Sequence, residues 1–162
     1  MNEKYELACE KDKQEILGLY KAQLGRQFCP WDEHYPGEKE IDMDLSNQAL
    51  LILRNDAGEI IAAVSIDEDE NVDKIPQWSK ELAPGKEAAR LAVRPDYQNQ
   101  GLAQKMLGFA MEEIKKRGYK SIHFLVNKHN IKALRAYSHL NFQQVGEVFM
   151  YEQPFYCYEK AL

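Results

Sequence analysis

The sequence predicts a three-layer α/β (α+β) domain with helices on both sides of a central mixed sheet, and three observations predict it. Apolar runs of strand character at residues 49–53 and 60–66 form a hairpin, and strand, helix, strand, helix and strand then follow in alternation. The 162 residues suffice for one domain, spanning 1–162, whose core needs no covalent staples. Hydrophobic residues at 44% and charged residues at 29% give the balance of a folded globule rather than a disordered chain.

Each element has a local reason. Residues 5–9 read as a short first strand. Asp12 stands where a helix N-cap belongs, and Ile16, Leu17, Leu19, Tyr20 and Leu24 fall at helical spacing through residue 27. Cys29, Pro30 and Trp31 break that helix, and residues 31–36 form a turn-rich loop. Residues 37–47 read as a second short helix with Ile41 and Leu45 inward. Asn55-Asp56-Ala57-Gly58 supplies the hairpin turn between the two apolar strands.

Residues 67–86, punctuated by Pro76, Pro84 and Gly85, form an irregular connection. Ile75 and Trp78 dock it, and residues 79–83 make a helical turn. A connection of this length inside a compact domain reads as part of a substrate-side wall. Residues 87–93 are the central strand, with Glu87, Ala89, Leu91 and Val93 on one face unless a bulge intervenes. Residues 101–117 form an amphipathic helix: Met106, Leu107, Ala110, Met111 and Ile114 line one face, and Lys115, Lys116 and Arg117 sit at its negative end before Gly118. Residues 121–126 are a strand, 131–140 a helix capped by Asn130, and the tail from 143 adds one or two strands.

Charge and cysteine usage exclude several classes of function. The net charge of −5, with acidic residues gathered at 67–70 and 38–44, argues against a nucleic-acid partner. The acidic run at 67–70 has two readings, a field that steers a cationic amine or, more commonly, the solvated end of a hairpin or loop. Cys9, Cys29 and Cys157 lie far apart with no ligand spacing, so neither a metal site nor a disulfide framework is expected. The charged N-terminus lacks a signal-peptide core and no apolar run reaches membrane length, so the expected compartment is the cytoplasm, with no membrane partner.

The most informative segment runs from Leu91 to Ala103, reading Leu-Ala-Val-Arg-Pro-Asp-Tyr-Gln-Asn-Gln-Gly-Leu-Ala. A strand end, a Pro-marked turn and a polar loop open into a helix, aiming unpaired N–H groups and the positive end of the helix dipole at one point. Such a point binds anions, and Gly101 lets a phosphate approach the backbone. The loop has neither the Gly-Lys-Ser/Thr of a Walker loop nor the three glycines of a dinucleotide fingerprint. An ordinary strand-turn-helix is the alternative reading of the loop alone.

The pattern Val93-x-Pro95-x-x-Gln98-x-x-Gly101-x-Ala103 resembles the pyrophosphate-binding signature of the GNAT superfamily of N-acetyltransferases. A second block, from Asn130 through Ala133 to Tyr137 and closed by Leu140-Asn141-Phe142, is similar to that family's Asn-x-x-Ala-x-x-x-Tyr helix and Leu-Gly-Phe turn. The two blocks stand in the family's order and spacing over about residues 87–147. Asn141 replaces the family glycine, and asparagine also tolerates a left-handed backbone.

The resemblance implies a GNAT-like fold, with a splayed pair of neighbouring parallel strands flanked by helices, and acetyl-CoA as the acetyl donor without a metal. It implies that Leu91, Ala92 and Val93 pair with pantetheine as an added strand would. The backbone of Gln98, Asn99, Gln100, Gly101, Leu102 and Ala103 would hold the pyrophosphate, and Asn130 belongs to the same cofactor site. A backbone N–H of Ala92 or Val93 would stabilise the thioester oxyanion. Tyr137 would serve the departing thiolate, with a core-facing aromatic as its plainer role. Glu87 occupies the place of a catalytic glutamate in some members; a water chain, or a merely exposed strand-start glutamate, are the alternatives. Asp32, Glu33 and His34 are further candidates for holding an acceptor amine. The acceptor would be a small-molecule or peptide amine, and a homodimer is left open. A non-catalytic acyl-CoA sensor of the same fold, and an unrelated phosphate-binding α/β module, are the competing functions.

Overall fold

A computed structural model describes residues 4–26 and 29–162. Its frame is one seven-stranded sheet in the order β1-β2-β3-β4-β5-β7-β6. The strands are β1 (Tyr5–Leu7), β2 (Leu50–Arg54), β3 (Ile60–Asp67), β4 (Gly85–Val93), β5 (Ser121–Asn127), β6 (Gln143–Met150) and β7 (Gln153–Ala161). All neighbours run antiparallel except β4 and β5. Among the described residues five α-helices complete it: α1 (Lys13–Lys21), α2 (Glu38–Ser46), α3 (Glu70–Asp73), α4 (Leu102–Lys116) and α5 (Ile131–Ser138).

The apolar strands β2 and β3 are buried throughout β3 because both faces are covered, the condition under which a strand reads as a continuous apolar run. On one face Leu51, Leu53, Ile61 and Val64 pack with Met106, Leu107, Ala110 and Ile114 of α4. On the other, Leu50, Ile52, Ile60 and Ala63 pack with Ile16, Leu19 and Tyr20 of α1 and Ile41 of α2. The β2–β3 hairpin closes through Asn55, whose Oδ1 accepts from the N–H groups of Ala57 and Glu59, with Gly58 at φ +83°.

Several boundaries differ from the sequence reading. The first helix ends at Lys21 and continues as turns, and the far end of its expected range, at residues 27 and 28, lies outside the described residues. Asp12 precedes that helix, but its carboxylate accepts from the Cys9 N–H at 3.0 Å and from Arg54 at 2.8 Å instead of capping it. The expected Pro-marked turn is a 3-10 turn, Pro95–Tyr97, and the loop from Gln98 to Gly101 opens directly into α4 as expected. The acidic run is solvated only in part: Glu68 and Glu70 are exposed, but Asp67 is buried at the end of β3, and Asp69 caps the short helix α3 through Asn71 N–H at 3.0 Å. Asn141 does take the left-handed backbone, at φ +64°.

The largest correction concerns β4. Its pairing with β3 runs Ala63↔Ala92 and then Ser65↔Ala89, so Val64 faces two residues, Arg90 and Leu91. This is a β-bulge, and Arg90 sits at its left-handed position with φ +51°. The extra residue reverses the side-chain alternation. Ala88 and Val93 therefore share the α4 face although five residues apart, and Ala92 faces α1 and α2. Glu87 and Val93 do not share a face.

Candidate active site

The site begins where the parallel ladder ends. β4 and β5 pair only at Gly85↔Ser121, Lys86↔Ile122 and Glu87↔His123. Beyond Glu87 the strands diverge, and a cavity of about 930 Å³ opens between them, a volume suited to a cofactor-sized ligand. Its walls come from both faces of the sheet. Ala133 and Tyr137 of α5 and Leu107 of α4 contribute from one side, and Trp31, Tyr35, Met43 and Arg90 from the other.

Along β4 the backbone alternation decides which groups look into the gap. Arg94 N–H donates to Ile61 of β3 at 2.8 Å, so Ala92, two residues away, also turns toward β3 and Val93 turns toward the gap. Of the two expected oxyanion donors, Val93 is therefore the one with its N–H on the cleft side. The Val93 carbonyl accepts from the side-chain amides of Gln98 and Gln23, each at 2.9 Å. The guanidinium of Arg26 donates to the side-chain oxygen Oε1 of Gln98. Gln98 thus fastens the strand end to the turns that follow α1 with its side chain, a task its place in the loop motif did not disclose. Of the expected phosphate loop Gln98 lines the cavity, together with Leu91 and Asn130. Asn99, Gln100 and Gly101 are exposed beyond that wall, Leu102 is buried beneath it and Ala103 is partly buried. Asn99 at φ +63° and Gly101 at φ +79° curl the loop as it enters α4, a backbone form that gathers N–H groups.

Tyr137 is brought to the cavity by α5, which Asn130 caps by accepting from Ala133 N–H at 3.2 Å. Its ring packs edge-on against Phe124 at 4.9 Å between centroids, with Phe142 and Tyr158 beyond. Among the described residues its hydroxyl has no hydrogen-bond partner. Burial pushes its pKa up to about 12. The side chain is both a core aromatic and a cavity wall.

Glu87 approaches from the opposite face. It is 6% exposed, and its Oε1 is buried without a hydrogen-bond partner. Desolvation first, then the carboxylates of Asp67 and Asp69, push its pKa well above the usual carboxylate range. Carboxylate oxygens of Asp67, Asp69 and Glu87 all lie within 4.8 Å of one another. Beneath them Arg90 reaches Asp44 at 2.9 Å and Asp67 at 2.9 Å, and Asp44 also accepts from the Ser65 hydroxyl at 2.6 Å. Sequence reasoning missed this Asp44–Arg90–Asp67 group. The available signal was an arginine flanked by Ala88, Ala89, Leu91 and Ala92 in a strand that should be buried.

Removing the arginine would strand two buried carboxylates. Arg90→Met should therefore destabilise the fold by about 3–5 kcal/mol, read as a lower denaturant midpoint; an unchanged midpoint would show the group to be solvated. Of the three loop candidates for holding an amine, Asp32 lines the cavity mouth, its Oδ1 accepting from His34 and Tyr35 N–H groups. Glu33 and His34 pair with each other at 3.4 Å in solvent and do not line it.

No curated protein matches the chain by sequence. Solved structures match it over nearly its whole length. A GNAT-family acetyltransferase from Streptococcus agalactiae aligns with TM-score 0.81 and 19% identity, covering 100% of this chain and 96% of that one. The PaiA N-acetyltransferase of Thermoplasma acidophilum, solved with coenzyme A, aligns with TM-score 0.73 and 15% identity over 100% of both chains. The ribosomal-protein-S18-alanine N-acetyltransferase of Escherichia coli aligns with TM-score 0.72 and 17% identity, covering 98% and 93%. At these identities the likeness establishes the fold: a mixed sheet that splays at one parallel pair. The sequence carries the family itself. The model of the Acetyltransferase (GNAT) family matches residues 5–142, and the chain belongs to that family.

Proposed function

We propose that this protein transfers an acetyl group from acetyl-CoA to a primary amine by direct attack within a ternary complex. The observation that carries the reading is the end of the β4–β5 ladder at Glu87↔His123, where a cavity opens with Glu87 and Tyr137 on opposing walls. Pantetheine amides find partners on the cleft-facing backbone of Leu91, and the pyrophosphate rests on the N–H groups from Gln98 to Ala103.

The amine arrives as an ammonium and loses a proton to the Glu87 carboxylate, because only the neutral amine is a nucleophile. Its nitrogen then forms a bond to the thioester carbon while the Val93 N–H holds the developing oxyanion. As the C–S bond breaks, its electron pair stays on sulfur, where the Tyr137 hydroxyl meets it with a hydrogen bond. The amide nitrogen gives its remaining excess proton to water, leaving the neutral amide and the coenzyme A thiolate. The protein holds the groups in position, which turns a collision of two substrates into a step within one complex.

Thiol release from acetyl-CoA in the presence of primary amines tests the reaction. Coenzyme binding without release from any amine would favour the acyl-CoA sensor instead. Gly101→Val tests the phosphate seat. A Cβ at Gly101 would meet nothing within 4 Å, but the position has φ +79°. A left-handed L-residue costs about 1–2 kcal/mol, so the loop should relax and weaken acetyl-CoA binding by about tenfold with the melting temperature little changed. Equal affinity in titration calorimetry would move the pyrophosphate elsewhere.

A further inference from the structure

The residues lining the cavity carry seven carboxylates against four cations, the latter including Lys39 beside Glu40 and Lys132 on α5. Among the described residues Asp69 and Glu87 form no ion pair, and neither do Asp32 and Glu40 on the facing wall. Arg90, the cation at the bottom, is already shared between Asp44 and Asp67. Glu87 adds an independent sign of a missing partner. Its Oε1 is an acceptor without a donor in a side chain 6% exposed, turned toward Asp67 and Asp69 within 4.8 Å. A buried acceptor left unsatisfied is costly, and an incoming N–H donor removes that cost. Tyr35 and Tyr151 line the same end and offer rings to a cationic nitrogen and its methylenes.

Resting on the acetyl-transfer reading, we propose that the acceptor is an aliphatic diamine or longer polyamine. One nitrogen is delivered to Glu87 and acetylated. A second nitrogen, several methylenes away, keeps its proton and is held by the carboxylates that have no ion pair. Once Glu87 has taken the proton of the first nitrogen, a monoamine has no charge left for the remaining carboxylates to attract, whereas a diamine keeps one.

A divalent metal ion suits the cluster less well. Both Asp67 oxygens accept from Arg90, and those of Asp69 accept from Asn71 N–H and the Tyr151 hydroxyl. A hard cation requires about six close oxygens, whereas an ammonium is satisfied by two or three acceptors. A peptide would bring amide groups, for which this end offers carboxylates rather than a strand edge.

The test compares tetramethylenediamine with n-butylamine and a short peptide bearing a free α-amine, by thiol release from acetyl-CoA on the full chain. The diamine should exceed butylamine in kcat/KM by about tenfold or more at low salt, with the gap narrowing as salt rises. Asp69→Asn and Glu40→Gln should each reduce that ratio; both keep the side-chain oxygen that caps a helix here. Equal values for diamine and butylamine would overturn the second-charge proposal and leave acetyl transfer standing. A preference for the peptide would do the same. No release from any amine by a protein that binds acetyl-CoA would overturn both. Magnesium or calcium alone, bound stoichiometrically and abolished by Asp69→Asn, would assign the cluster to a metal.

Discussion

Tyr137→Phe should lower turnover by about 10²–10⁴-fold while melting temperature and acetyl-CoA affinity stay nearly constant. The phenylalanine keeps the ring that packs on Phe124, Phe142 and Tyr158, so the variant separates the core role of the side chain from its chemical one. With a pKa pushed up to about 12 the phenol is fully protonated at neutral pH. It lies far above a thiol, near 8.5 for cysteine, so complete proton transfer to sulfur is uphill. The contribution is a positioned hydrogen bond that strengthens as charge collects on the leaving sulfur. Single-turnover kinetics, which isolate the chemical step, provide the measurement. Near-normal rates would return Tyr137 to the core and leave the thiolate to solvent.

Glu87→Gln should lower kcat/KM by a comparable factor, about 10²–10⁴-fold, and should also change the pH profile. The base is the carboxylate form, and desolvation beside Asp67 and Asp69 holds its pKa well above the usual range. In the native protein kcat/KM should therefore rise with pH through that raised value, and the limb should be absent in the variant. Stability moves the other way. Between the ordinary carboxylate pKa and the raised one the folded state binds more protons than the unfolded state, so stability falls as pH increases. Glutamine carries no such charge, and the variant should gain stability over the native protein toward the upper end of that window. Thermal unfolding across pH reads it; parallel curves for the two proteins would mean that Glu87 is solvated.

The sequence was most legible where one physical cause acted alone. The β2–β3 hairpin follows from two apolar runs around an Asn-Gly turn, and α4 from its apolar stripe and basic end. The splayed strands and Tyr137 were reached through paired motifs rather than periodicity. What stayed hidden was tertiary. The alternation along β4 fails at Arg90 because the bulge there accompanies an ion group with Asp44 and Asp67, 46 and 23 residues away. No local window contains that information. The same distance effect turned Asp67 from a presumed solvated acid into a buried one, and it gave the Gln98 side chain partners in the turns after α1. The short helix α3 escaped notice because four residues carry too little periodicity to register.

The three-residue seam at Gly85, Lys86 and Glu87 also has a mechanical meaning. Strands β1 to β4 form one plate and β5 to β7 another, and the two are welded along that short line and diverge on one side of it. Gly85 sits in the weld, where a Cβ would come within 2.7 Å of Ser121 Oγ and 2.8 Å of His123 Nδ1. Both atoms belong to side chains of β5, so a methyl group there would have to displace the Ser121 hydroxyl and the His123 ring, and His123 is the residue opposite Glu87 at the last rung of the seam. The bare backbone of Gly85 thus leaves room for the two β5 side chains that close the seam.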